Sequence, residues 1–285
     1  MKVDQRLSQI TVCAVVVSTL LFAGDAAARA GSLRVISLSP ATTEILFALG
    51  LDEEIVAVSS VCDYPEKARF KEKAGSFSNP NMEKIIFLKP DIIFCAGLEQ
   101  SGTVRELRRL GMNVSVNDPV SMDELYVSIR EIGRCTGRER EAENIIRGMS
   151  EEIERVESLL KNTPSGKKPR VFVEIWHSPL MTAGKGAYLD ELLRLAGGEN
   201  IAYDTVRPYC YFSAEQVIKR DPECIFLMYM DNAGSLQKAG RRFGWEHVSA
   251  VRNKRVYNDI DANLLLRPGP RAALGVREIY KRLYP

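Results

Sequence analysis

The chain has 285 residues, with 39 Lys or Arg against 37 Asp or Glu, so its formal net charge at pH 7 is +2. Nucleic-acid-binding proteins usually carry a concentrated positive charge, so this near-neutral composition argues against nucleic acid as a partner. Only two histidines are present, which makes a histidine-rich zinc site improbable.

The first thirty residues have the features of a secretory signal peptide. Lys2 and Arg6 precede an apolar run over 10–22, and small residues suited to cleavage follow at 26–30. The apolar run is too short to predict a membrane span, although an uncleaved anchor is the alternative. We predict that residues 1–30 direct export to the periplasm and that the mature protein is soluble.

Short apolar strands alternate with helical patterns over residues 31–137. Ser39 is expected to cap the first helix, with Pro40 at its first position. This alternation indicates βαβ units and a mainly parallel sheet, which we predict to form an N-terminal α/β lobe. Strands are predicted at 34–38, 55–58, 91–95 and 114–116, and helices at 40–49, 81–88, 101–110 and 121–135.

One long helix is predicted over residues 138–163, because apolar residues recur there at helical spacing. At 1.5 Å per residue, the apolar pattern over 138–161 corresponds to a helix about 35 Å long, enough to join two lobes. Bending such a helix would break interior hydrogen bonds, so we expect the lobes to open and close only slightly.

Residues 164–285 repeat the alternation and are predicted to form a second, similar lobe. The phrase E-K-I-I-F-L-K-P-D-I-I-F at 83–94 returns as E-Q-V-I-K-R-D-P-E-C-I-F at 215–226, and E-I-L-F-A-L-G at 44–50 is echoed at 191–197. The predicted fold is therefore α/β, with two similar lobes of mainly parallel sheets joined by one helix and a ligand cleft between them.

Catalytic motifs are missing from the sequence. It contains no G-x-S-x-G, H-E-x-x-H, phosphate-binding loop or paired C-x-x-C. Asp259 and Asp261 lie near a strand end, but with no nucleophile nearby they are better explained as a solvated loop. We predict no catalytic residues and no metal site.

Ligands of open α/β sheets bind beyond the carboxyl ends of the parallel strands. The residues predicted there mix aromatic, sulfur-containing and a few polar side chains, which suits a large, flat, partly apolar ligand. Core packing is the alternative for any one aromatic. The predicted ligand-binding residues are Ser39, Pro40, Val61, Cys62, Asp63, Tyr64, Phe77, Cys95, Trp176, His177, Tyr209, Tyr229 and Asp261.

Three of the five cysteines beyond the signal segment, Cys62, Cys95 and Cys210, fall in predicted cleft loops near His177. They could form a disulfide, supply a thiolate that together with the imidazole binds haem or a metal complex, or serve as small pocket residues. The sequence does not determine the pairing, and an odd number leaves at least one cysteine free within the chain.

Five segments together resemble the helical-backbone class of ABC-importer binding proteins, and specifically the periplasmic cobalamin-binding proteins. They are R-V-I-S-L-S-P-A-T-T-E-I-L-F-A-L-G at 34–50, D-Y-P at 63–65, N-M-E-K-I-I-F-L-K-P-D at 81–91, W-H-S-P-L-M-T-A-G at 176–184 and L-L-L-R-P-G-P-R at 264–271. The resemblance covers essentially all of the mature chain.

This resemblance implies a monomeric protein without a cofactor that captures cobalamin or a related corrinoid and delivers it to an ABC-transporter permease in the inner membrane. It adds Arg267 to the predicted ligand-binding residues. It also implies that Glu83 and Glu215, at the head of the repeated phrase, meet arginines of the permease. A ferric siderophore or haem is the alternative ligand, and a secreted metal-dependent enzyme is the remote alternative.

Overall fold

The computed structural model describes residues 32–97, 100–163, 166–229 and 239–285. The predicted signal peptide lies outside these ranges. Within them, no helix combines the length and the apolar character needed to cross a membrane. Residues 34–285 cluster into one compact unit.

The first sheet consists of four parallel strands in the order β2–β1–β3–β4. Strands β1 and β3 are central and fully buried, as expected for the short apolar strands of a parallel sheet. The strands are β1 (Val35–Ser37), β2 (Ile55–Val58), β3 (Ile92–Cys95) and β4 (Val114–Val116). The helices of this half are α1 (Pro40–Ala48), α2 (Met82–Phe87), α3 (Ser101–Arg109) and α4 (Met122–Thr136), with a 3-10 helix at Glu66–Phe70.

The second sheet has the order β10–β9–β5–β6–β8, and β7 pairs with β5. Strands β7, β9 and β10 extend it in parallel, whereas β6 is antiparallel to both β5 and β8. The strands are β5 (Arg170–His177), β6 (Leu180–Ala183), β7 (Glu199–Asn200), β8 (Tyr209–Tyr211), β9 (Cys224–Leu227) and β10 (Val256–Tyr257). This half is thus mainly but not wholly parallel.

The prediction that Cys210 and its neighbours lie in a cleft loop is wrong. Tyr209, Cys210 and Tyr211 form β8 and pair with β6. Pairing at the edge of the sheet satisfies backbone groups that a loop would leave to solvent. Tyr209 is therefore held by a strand.

Helix α5 (Glu139–Asn162) is the predicted long connector, and it packs against α4 and against the last helix of the chain. Gly137 ends α4 in the left-handed conformation with φ +68°. Gly133 lets α5 approach closely, because a Cβ there would lie 2.7 Å from the Ala142 methyl. The remaining helices are α6 (Tyr188–Leu195), α7 (Ala214–Arg220), α8 (Ser249–Arg252), α9 (Asn263–Leu266) and α10 (Ala272–Leu283), with a 3-10 helix at Trp245–His247.

The repeated phrase is a repeated structural unit. Asn81 caps α2 and Ser213 caps α7, each by accepting a hydrogen bond from the backbone N–H three residues later. Strand β3 follows the first helix and β9 the second, at the same offset of 132 residues that separates position 213 from position 81. Cap, helix start and strand therefore repeat in register.

Each half has its own hydrophobic core. The N-terminal core lies around β1 and β3 and includes Ile36, Ile93 and Leu107. The C-terminal core lies around β5 and β9 and includes Phe172 and Trp245. Trp245 is fully buried, so its indole belongs to the core and is not available to a ligand.

Candidate ligand cleft

An open cleft of about 690 Å³ lies where β3 and β4 end, the edge at which ligands of parallel sheets bind. One wall comes from the segments that follow these two strands, and the other from the start of α6, from β8 and from the segment after α9. Most lining residues are apolar or glycine, with Asp118 and Arg207 as the charged members. The lining residues are Ala96, Gly97, Asp118, Pro119, Val120, Gly186, Ala187, Tyr188, Arg207, Pro208, Tyr209, Leu266 and Pro268.

Tyr209 lies in this cleft with its ring about half-exposed. Burial raises the pKa of its phenol, and the nearby charge of Asp118 adds to the effect. The phenol therefore stays neutral at physiological pH. It offers an apolar face for stacking and a hydroxyl for hydrogen bonding.

The backbone that presents Arg207 and Tyr209 is fixed by neighbouring contacts. The Gly184 N–H donates to the Pro208 carbonyl at 2.7 Å, and the Thr205 hydroxyl lies 3.2 Å from the Arg207 carbonyl. Gly184 has no room for a side chain, because a Cβ there would overlap Thr205. This wall of the cleft is therefore preformed.

Three predicted residues form an aromatic row at the ends of β5 and β9. The ring centroids of Trp176 and His177 are 5.3 Å apart, and those of His177 and Tyr229 are 5.6 Å apart. Trp176 and His177 are exposed, whereas Tyr229 is buried and its hydroxyl donates to the Glu174 carboxylate. Trp176 and His177 are thus available to a ligand, and the buried Tyr229 ring packs against His177.

Arg242 lies behind this row and contacts the same carboxylate as Tyr229. Its guanidinium pairs with the fully buried Glu174 carboxylate and lies over the Trp245 ring, with Cζ 4.6 Å from the centroid. A buried carboxylate is tolerated only when it is paired and hydrogen-bonded, and Arg242 and Tyr229 meet that need.

Gln100 organises the N-terminal side of the site. Its side-chain oxygen accepts from the Ala96 N–H at 2.8 Å, and its amide nitrogen donates to the carbonyls of Leu38 and Phe77 at 3.1 and 2.7 Å. One buried amide thereby joins the segment after β1, the segment after β3 and the loop that carries Phe77. Sequence analysis did not identify this residue.

Ion pairs join the two halves beside the site. Arg267 Nη1 lies 2.6 Å from Asp63 Oδ1 and 3.5 Å from Glu44 Oε1. Arg271 binds both oxygens of Glu44, at 2.7 and 2.8 Å, and lies 3.3 Å from Asp261 Oδ2. The cross-lobe cluster, as we call it, consists of Glu44, Asp63, Asp261, Arg267 and Arg271.

Tyr64 stacks on this cluster, since the Arg271 Cζ lies 3.6 Å from the centre of its ring. Four predicted residues, Asp63, Tyr64, Asp261 and Arg267, are thus brought together. The sequence analysis missed Glu44 and Arg271, although Glu44 is the single charged residue of the buried helix α1, which was a signal that a buried partner exists.

Two predicted cysteines lie in the core instead of on the cleft surface. Cys62 is buried, with its thiol 3.1 Å from the hydroxyls of Thr43 and Ser59. Cys95 is buried in β3. Burial raises the pKa of the Cys62 thiol and raises that of Cys95 to about 12, so both are neutral thiols and poor metal ligands.

The remaining predicted residues have mixed exposure. Ser39 is buried, Pro40 and Phe77 are half-buried, and Val61 is exposed. Cys210 is half-buried in β8, and all five cysteines of the described residues are unpaired. Over the same residues, no group of three or more His, Cys, Asp or Glu side chains is placed to hold a metal ion.

Glu83 and Glu215 occupy equivalent places, each as the second residue of its helix, and both are exposed. The hydrogen bond from Ser213 lowers the pKa of Glu215, so this carboxylate is charged at neutral pH. Neither residue is among those that line the cleft.

Comparison with known proteins agrees with this architecture. The vitamin B12-binding protein of Vibrio vulnificus is 31% identical to this chain. The match covers 86% of this chain and 88% of that protein. The solved structure of the periplasmic vitamin B12-binding protein BtuF of Vibrio cholerae superposes with a TM-score of 0.76 at 29% identity, over 88% of this chain and 96% of that one. The periplasmic haem-binding protein RhuT of Roseiflexus gives a TM-score of 0.79 at 25% identity, over 89% and 98%.

Two α/β halves on a long helix, with an open cleft at the strand ends, define a solute-binding protein of the helical-backbone class. The model of the periplasmic binding protein family matches residues 35–262. The chain belongs to this family, whose members are substrate-binding components of transporters and carry no cofactor.

Proposed function

We propose that this protein captures cobalamin or a related corrinoid and delivers it to the permease of an ABC importer. The observation that carries the proposal is the open cleft, whose mostly apolar walls hold a few convergent polar groups. The relatives named as vitamin B12-binding proteins support the same ligand.

In this proposal the ligand is held mainly by burial of its flat face. Tyr209, Pro208 and Leu266 supply apolar surface, while Arg207 and Asp118 face polar groups at the ligand edge. Because the cleft is open to solvent on one side, part of the ligand would remain outside it. Trp176 and His177 are exposed at the strand ends and are proposed to contact that part.

Haem or a ferric siderophore is the second candidate. It is favoured by the exposed imidazole of His177, a possible iron ligand next to an aromatic face. The likeness to RhuT supports this alternative.

Delivery rests on the two exposed glutamates. We propose that Glu83 and Glu215 each meet a cationic side chain of the permease, so that charge pairing sets the docking register. Export through residues 1–30 and a monomeric state belong to the same proposal. Catalysis has no part in it.

The visible absorption spectrum of the protein purified from its own periplasm tests the ligand. We expect the absorption bands of a corrin, with an intensity that corresponds to about one corrinoid molecule per chain. A haem Soret band, or the charge-transfer band of a ferric chelate, would instead support the second candidate.

A further inference from the structure

Helix α2 exposes two adjacent apolar side chains beside Glu83. Its inner face is anchored by Ile85, which is fully buried. Ile86 and Phe87 point away from the core, with 46% and 81% of their surface exposed. Because residues three and four positions apart share one side of a helix, both neighbour the Glu83 carboxylate. Single exposed apolar residues are ordinary, whereas contiguous ones mark interaction sites. Here two exposed apolar side chains adjoin each other and a carboxylate.

The equivalent helix α7 lacks this surface. At the same offset of 132 residues, Ile86 corresponds to Ile218 and Phe87 to Lys219. Ile218 packs against the C-terminal core, and Lys219 is exposed. The two copies of the repeat therefore differ at the residues next to their glutamates.

The charges near the two glutamates also favour α2 over α7 as the stronger docking contact. On α2, Lys84 pairs with Glu72, so the neighbouring cation is already engaged. On α7, the exposed Lys219 lies one turn after Glu215, where its positive charge weakens the attraction of that carboxylate for another cation. The α2 face thus combines a carboxylate with apolar area, and the α7 face combines a carboxylate with a cation.

We infer that Glu83, Ile86 and Phe87 form the dominant contact with the permease, which would present a cation beside an apolar pocket there. This inference rests on the proposed function and deepens it, since it makes the two docking contacts unequal. The exposed carboxylate of Glu83 suits the permease cation that the proposed function assigns to it, and the adjoining aromatic supplies the buried area typical of interface hot spots. Glu215 then guides orientation and contributes less affinity.

Binding of the cyanocobalamin-loaded protein to the permease, purified in lipid nanodiscs, tests the inference. F87A is expected to weaken the complex by about tenfold or more, the loss typical of an aromatic hot spot. E83A is expected to weaken binding to the permease more than E215A does. The matched control is F243A, which removes an aromatic that is 98% exposed in the C-terminal half. It should bind the permease as the wild type does, and all variants should keep their affinity for cyanocobalamin.

Equal permease binding by F87A and F243A would overturn the inference while leaving the proposed function intact, provided that E83A still weakens docking. Failure of the wild-type protein to bind the permease would contradict both. If F87A instead abolishes a self-association of the wild type and leaves permease binding unchanged, the patch belongs to a second copy of the chain and the inference fails.

Discussion

Arg271 donates a hydrogen bond to each carboxylate oxygen of Glu44, although the two residues are 227 positions apart in sequence. Glu44 is only 4% exposed, so its charge is compensated by protein groups instead of water. The pair joins helix α1 of the first half to the start of α10 in the second. Together with α5, this pair connects the two halves that supply the walls of the cleft.

Replacing Arg271 with Ala should therefore lower the free energy of unfolding by about 3–5 kcal/mol, because it leaves a buried carboxylate short of its main partner. R271K should recover only part of the loss, since an ammonium cannot bind both oxygens in one plane. Urea unfolding measures the change. The matched control is R130A, which breaks the exposed pair with Glu143 and should change the free energy of unfolding far less than R271A does.

The charge of Asp63 should make stability depend on acid pH. Burial raises the pKa of this carboxyl, but the hydrogen bond and charge of Arg267 outweigh that effect and set the pKa below its ordinary value. A lowered folded-state pKa adds stability above the unfolded pKa of about 3.9, and this stability is lost as pH falls through the folded value. The stability difference between wild type and D63N, followed by urea unfolding, should shrink below about pH 4. A constant difference from pH 7 to pH 3 would contradict this assignment.

Gln100 should position the ligand-facing loops without touching the ligand. Q100A leaves one backbone N–H and two carbonyls short of a partner and should cost about 1–3 kcal/mol of unfolding free energy. Q100E should be at least as damaging, because a carboxylate still accepts from Ala96 but cannot donate to Leu38 and Phe77. Titration calorimetry with cyanocobalamin should show weaker binding by both variants. Unchanged stability and affinity would mean that the loops hold themselves in place.

Glu83 and Glu215 should matter for transport and not for capture. Changing Glu215 to Ala should reduce uptake through the reconstituted permease by about fivefold, as expected for an exposed charge pair, and changing Glu83 to Ala should reduce it more. The double variant should be worst, and E83R or E215R should be more severe than Ala because like charges then oppose. Higher salt should weaken wild-type docking more than that of the variants. Loss of ligand binding by a folded Ala variant would place that glutamate in the cleft.

Local patterns predicted much of the fold, because helix caps and apolar strands are written in adjacent residues. The helices at the head of the repeated phrase and the strands at its end appear where the sequence indicated. The antiparallel extension by β6 and β8 was missed, since such short edge strands are defined by pairing with each other. The cross-lobe cluster was seen only in part, because partners that lie 227 residues apart leave no local pattern. Cys95 was assigned to the cleft for a different reason, because a strand end and a buried core position look alike in sequence.

The most direct test of the ligand assignment is calorimetric titration of the ligand-free protein with cyanocobalamin, with haem and a ferric siderophore titrated in parallel. We predict one corrinoid site per chain with submicromolar affinity, and weaker binding by Y209A, which removes the aromatic face from the cleft wall. No heat with cyanocobalamin at tens of micromolar protein, alongside clear binding of haem or the siderophore, would contradict the account.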